Sequence, residues 1–190
     1  MPILRTNPLR QMGNTPDSKN FTIPVGEQGS LATVDFLIKV ARKQSKLPII
    51  RELALRILEQ YDVKSNDYYN EAFAIGDFVK KKLRYVRDIN GTELVHDPVM
   101  LIDQMRRGQA HGDCDDMSLL IATLLLSIGH QPYFRIVKYY NGMGAYQHIY
   151  IVVYESNWKK PKRRLVLDAI LKRSKIGTEV PHKYGKEIKV

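Results

Sequence analysis

The run Met117-Ser118-Leu119-Leu120-Ile121-Ala122-Thr123-Leu124-Leu125-Leu126 constrains this chain more than any other segment. Its apolar residues go almost all the way round a helix, so the helix has no side to offer water and must lie at the centre of a fold. Immediately before it stands Gly112-Asp113-Cys114-Asp115-Asp116, which holds the only cysteine of the chain. The pattern places Cys114 at the N-terminus of a buried helix ending at Gly129, a C-terminal cap. A thiol there feels the positive end of the helix dipole, which favours the nucleophilic thiolate. Asp115 and Asp116 oppose ionisation by their charge, unless a histidine pairs with the thiolate as imidazolium.

A central helix needs elements to wrap it, and the rest of the chain supplies them. Ser30 is read as the cap of a helix through Leu31, Val34, Leu37 and Ala41. A second helix follows Pro48 and a third begins near Asn66 or Asp67. A short helix opens at Asp97-Pro98. The runs around Tyr85 and Val95 flank Asn90-Gly91 and suggest a small hairpin. Downstream of Gly129 the pattern turns to strands. Tyr133–Val137 is one, Tyr146–Tyr154 a second and Arg164–Asp168 a third, with a turn at Asn141-Gly142-Met143-Gly144 and a polar turn from Glu155 to Lys162. Helices first, then a buried helix, then consecutive strands give an α+β fold with an antiparallel sheet packed on the central helix.

Three regions are expected: an extended arm over residues 1–29, a globular domain over 30–170 and a basic tail over 171–190. The arm is rich in Pro and Gly. The formal charge is +10. From Asn157 to Val190 there are eleven Lys and Arg against three acids, so most of the excess lies in the last fifth of the chain. That segment reads either as a surface facing a polyanion or as a solvated tail. Nucleic acid is a partner that charge permits but no zinc-finger, helix-turn-helix or RRM signature supports. One cysteine rules out an intramolecular disulfide. No run of 18 apolar residues predicts a membrane span. With a single Cys and no paired CxxC or HxxxH, neither a metal nor another cofactor is called for.

Cysteine-based acyl transfer needs a base for the thiol, a group to orient that base and donors for an oxyanion. Of the five histidines, His148 is the best placed, early in a strand. His130 lies about 24 Å along the helix from Cys114 at 1.5 Å per residue. His111 falls on a linker, His96 in a hairpin arm and His182 in the basic tail. Asp168, at the end of the next strand, can reach the outer ring nitrogen of His148 if the two strands are antiparallel neighbours. The Cys114 N–H is one oxyanion donor. Gln104 and Gln109 are candidates for the other.

Taken together, Gly112-Asp113-Cys114-Asp115-Asp116, the Leu-rich helix, Gln147-His148-Ile149-Tyr150-Ile151 and Leu165-Val166-Leu167-Asp168 resemble the transglutaminase-like superfamily. Upstream, Arg84-Tyr85-Val86-Arg87-Asp88, Asn90-Gly91-Thr92-Glu93 and Asp97-Pro98-Val99-Met100-Leu101 resemble a subset of it encoded by tailed bacteriophages and prophages. The resemblance covers about residues 30–170. It implies a papain-like core with Cys114 as nucleophile, His148 as general base and acid, and Asp168 as the orienting carboxylate. The residues after Asp168 are Ala169-Ile170, where the family often has a proline.

Two functions stay open at this point. One is acyl transfer or amide hydrolysis on a protein or peptide. The other is a virion structural or assembly protein with an idle triad. It would contact other virion proteins through residues 1–29 and the basic segment. The phage-like resemblance implies synthesis in a host cytoplasm and association with a virion.

Overall fold

In the computed structural model the Leu-rich helix is wrapped on every side, as its sequence requires. The structure describes residues 3–5, 20–22, 24, 26–88, 92–140, 145–154, 163–171 and 174–190. In chain order, β1 (Ile3–Arg5) and β2 (Asn20–Thr22) precede α1 (Glu27–Gln44), α2 (Pro48–Gln60) and α3 (Tyr68–Lys82). Then follow β3 (Arg84–Tyr85), β4 (Thr92–Glu93), α4 (Pro98–Arg106) and β5 (His111–Gly112). The central helix is α5 (Cys114–Ser127), and β6 (Tyr133–Lys138), β7 (His148–Tyr154), β8 (Arg164–Leu167) and β9 (Tyr184–Lys189) complete the chain. The fold is α+β: α1 to α4 pack around α5, and β7 closes its remaining side.

Local chemistry accounts for most helix ends. Pro48 and Pro98 sit in first turns, where the missing N–H removes no helix bond. Asp67 and Asp97 accept from the exposed N–H groups of Asn70 and Val99. After α5, Gly129 takes φ 93, the left-handed turn that closes a helix and that a β-carbon would strain. The expected cap at Ser30 is corrected. α1 starts at Glu27 with Gly26 as cap, and the Ser30 hydroxyl bonds back to the Gly26 carbonyl inside the first turn at 3.4 Å.

The main sheet has the order β8-β7-β6-β9 and is antiparallel throughout. Period-two alternation divides it into two faces. Ile149, Ile151, Val153, Leu165 and Leu167 join the core around α5. Val137, Tyr150, Val152 and Val166 form a second, smaller apolar cluster. Both faces of β7 are covered, which is why six of its seven residues are buried. The Ser118 hydroxyl donates to the Ile149 carbonyl at 3.2 Å and pins α5 to β7.

Two further expectations change. The strands about Asn90-Gly91 do not pair with each other. β3 runs parallel to β5 and β4 parallel to β1, so tertiary partners prevail over the local turn signal. Asn90-Gly91 itself, the Asn141–Gly144 turn and the Glu155–Lys162 turn lie outside the described residues. The supposed tail is also not a tail. Residues 184–189 form β9, paired with β6 over six residues. Val190 is 3% exposed, and its N–H donates to the Pro132 carbonyl at 3.1 Å. On this edge strand Lys186 and Lys189 stay exposed, and edge lysines hinder pairing with another chain. Within the arm, β1 and β2 pair antiparallel. No helix among the described residues is long and apolar enough to cross a membrane.

Candidate active site

The start of α5 is fixed by its own acids. The Asp113 carboxylate accepts from the Asp115 N–H at 2.9 Å and the Asp116 N–H at 3.4 Å, and Asp116 Oδ2 accepts from the Asp113 N–H at 3.2 Å. This reciprocal cap makes Cys114 the first helical residue. Asp116 has a second partner. Its carboxylate accepts from the His96 backbone N–H at 2.6 Å and lies 2.7 Å from His96 Nδ1. Burial disfavours the charged imidazole of His96. The hydrogen bond and charge of Asp116, with Asp88 and Asp113, outweigh burial and raise its pKa.

Cys114 is half-buried. Its thiol donates to Asp115 Oδ1 at 3.6 Å, and the backbone of Ile149 also bonds the sulfur. Burial, then the charges of Asp115 and Asp113, push the thiol well above its ordinary value, and the Ile149 backbone opposes them. The helix-dipole expectation of an easily formed thiolate is therefore corrected: burial first, then the neighbouring Asp115 and Asp113, outweigh the helix dipole. At rest the sulfur carries its proton. The same three residues, Asp113, Cys114 and Asp115, offer ligand atoms close enough to hold a cation.

One residue along β7 from Ile149 is His148. Its Nε2 lies 2.7 Å from Asp168 Oδ2, with the two side chains 2% and 1% exposed. Asp168 is held in turn by the Ile170 N–H, which donates to Oδ1 at 3.2 Å. Asp168 lies just past the end of β8, one step beyond the paired residues Ile151 and Leu167, so the antiparallel register brings it beside the outer face of β7. The structure thus pairs His148 with Asp168 and sets Cys114 against the residue that follows His148. His130 bonds Glu71 Oε2 at 2.8 Å, beyond the far end of α5. Gln109 is exposed, and Gln104 lies in α4 with its Oε1 buried and without a hydrogen-bond partner among the described residues.

Several neighbours were not anticipated from the sequence. Tyr139 stacks on His148 with ring centres 6.3 Å apart and planes at 15°, and Tyr150 lies against it at 5.4 Å and 41°. Tyr85 is half-buried, and its hydroxyl pKa is raised by burial and then by Cys114. Tyr139 is pushed up to about 12 by burial, then by Asp168, Cys114 and Tyr85. Both phenols keep their protons and so can donate near the thiol. Tyr150 was readable from period two, since residues 148 and 150 share a strand face. The parallel pairing of β3 and β5 that brings Tyr85 opposite Gly112 left no local signal.

No family model matches this chain, and comparison with curated proteins gives no significant match. Among solved structures, LapG of Legionella pneumophila is similar at a TM-score of 0.41 and 17% identity, over 72% of this chain and 74% of that one. A candidate cysteine protease from Cytophaga hutchinsonii gives 0.41 and 13%, over 74% of this chain and 51% of that one. A candidate protease from Parabacteroides distasonis gives 0.49 and 14%, over 94% of this chain and 42% of that one. These likenesses are distant. Chemistry at the site is therefore read from its own residues.

Proposed function

We propose that the chain is a transglutaminase-like cysteine enzyme that breaks or exchanges an amide bond in a protein or peptide. The observation that carries this reading is the buried His148–Asp168 pair, joined through β7 to the backbone that bonds Cys114 at a helix start. Asp168 engages Nε2, so Nδ1 is the nitrogen with which His148 would serve the thiol. In the reaction Cys114 Sγ forms a bond to the substrate carbonyl carbon while its proton moves to Nδ1. The carbonyl electron pair moves to oxygen, which the Cys114 N–H stabilises. Collapse breaks the C–N bond, and His148 returns the proton to the leaving amine. Water or a second amine, giving a proton to Nδ1, then attacks the thioester carbon; the C–S bond breaks, Sγ regains the proton, and an acid or a new amide leaves. Because the resting thiol is protonated, the proton leaves during attack, and the base is required in every turnover.

The second reading, a virion structural or assembly protein built on the same fold, is favoured by one observation. Burial, and then the charges of Asp115 and Asp113, favour the protonated thiol over the thiolate at rest. Under either reading the phage setting, host-cytoplasmic synthesis and virion contacts belong to the proposal. Alkylation of Cys114 by iodoacetamide separates the two. The enzyme reading expects His148→Ala and Asp168→Asn to slow labelling by about tenfold or more at neutral pH, with Cys114→Ser as the unlabelled control. Labelling that is the same in wild type and His148→Ala removes the enzyme reading and leaves the structural one.

A further inference from the structure

The sheet face that carries His148 is covered by a network of charged and hydroxyl groups that the reaction does not use. The Tyr150 hydroxyl donates to Glu179 Oε1 at 2.5 Å. Glu179 is fixed by Arg135 Nε at 2.9 Å and by Arg164 Nη1 and Nη2 at 2.8 and 3.0 Å. Both arginines also reach Glu187 Oε1, at 3.3 and 3.2 Å. Arg164, Arg135 and Glu187 stand on three different strands, β8, β6 and β9. Glu179 stands on the segment between β8 and β9. That segment is itself tied to β8, because the Gly177 N–H donates to the Val166 carbonyl at 2.8 Å.

Tyr150 joins this network to the site. It is 1% exposed, and its ring lies against the His148 ring with centres 5.4 Å apart. Tyr139 also stacks on the imidazole, with ring centres 6.3 Å apart. An imidazole hydrogen-bonded at one nitrogen can still swing about that bond. Two rings packed on the imidazole restrict that swing, provided that the rings themselves cannot move.

We infer that Tyr150 is a positioning residue for His148, and that Glu179, clamped by Arg135 and Arg164, sets the Tyr150 ring and thereby the direction of the imidazole. The inference rests on the reading of His148 as the base of the site. Its function would be to keep Nδ1 aimed at the thiol, since small misplacement of a catalytic group costs large factors in rate. Through Glu179, the segment between β8 and β9 thus acts on the direction of His148.

The test uses the full chain and two readouts. One is the rate of Cys114 alkylation by iodoacetamide. The other is the low-field proton resonance of the His148 Nε2–H bonded to Asp168. Tyr150→Phe keeps the ring and removes its anchor. Glu179→Gln keeps the covering segment's shape and removes the charge, and it stands alone if Tyr150→Phe does not fold. Each is expected to slow alkylation roughly tenfold and to broaden the resonance. Tyr154→Phe breaks the 2.8 Å bond to Glu187 at the other end of the network, where the ring packs on Tyr133, and is expected to leave both readouts unchanged. A wild-type rate and a sharp resonance in either Tyr150→Phe or Glu179→Gln overturns the inference. So does an equal loss in Tyr154→Phe, which would mean general loosening. Failure of the enzyme reading looks different: wild-type labelling would not depend on His148, whatever the resonance does.

Discussion

Two histidine–carboxylate pairs lie about the start of α5, and they differ in what they hold. On the proposed reading, the His148–Asp168 pair supplies the base. His96–Asp116 fastens the helix cap to the segment before α4, with His96 engaging both Asp116 oxygens. His96 carries a pH dependence whose sign is set by its raised pKa. The stabilisation is fully present below the ordinary value of 6.5 and is lost as pH rises through the higher folded value. The melting temperature of the wild type should therefore fall as pH climbs above 6.5, and His96→Gln should abolish this part of the slope. His96→Gln also leaves a buried carboxylate without its cation, at a cost of about 3–5 kcal/mol. Calorimetric melts at several pH values check both; parallel curves for the two proteins would show that the pair is neutral.

At the scale of elements, the corner between β5 and α5 decides where the thiol stands. Gly112 pairs with Tyr85 across β3 and β5, and the Asp116 side chain packs directly over its α-carbon. A β-carbon there would lie 2.5 Å from Asp116 Oδ2 and 2.6 Å from Asp116 Cβ. Gly112→Ala must displace either the helix cap or the strand pair. We expect a loss of about 1–3 kcal/mol in urea unfolding, together with slower Cys114 alkylation. A variant of wild-type stability would mean that the corner relaxes freely. Leu120→Ala is different in kind. It removes side-chain volume from the fully buried middle of α5, away from the cap, and should cost about 2–5 kcal/mol.

For the whole molecule, the question is whether the last residues are an appendage or a part of the fold. Residues 184–190 supply an edge strand, a buried terminal valine and Glu187, which bonds arginines on two other strands. Ending the chain after Lys183 should lower the melting temperature sharply or abolish cooperative unfolding, as followed by circular dichroism. A free basic tail could be removed without effect. Acid sensitivity gives a second handle. Arg164, against the opposing effect of burial and with help from Tyr150, holds Glu179 down to about 2 from 4.5. The stabilisation is present above pH 4.5 and is lost as pH falls through about 2. Glu179→Gln should flatten the melting-temperature profile between those values.

By itself the sequence determined the elements that depend on local chemistry. The all-round apolar run demands a central helix, Asp113 and Gly129 mark its ends, and prolines and aspartates open three of the others. Period two in Tyr146–Tyr154 makes His148 and Tyr150 face partners, and Asp168 falls at the end of the neighbouring strand. Tertiary structure alone decided what depends on a distant partner. β9 exists because β6 offers an unpaired edge; Tyr-Gly-Lys-Glu-Ile-Lys has no apolar alternation of its own to announce it. β3 and β4 take partners far along the chain rather than each other. The proton on Cys114 was decided the same way, since a helix start favours a thiolate until folding buries the sulfur between carboxylates.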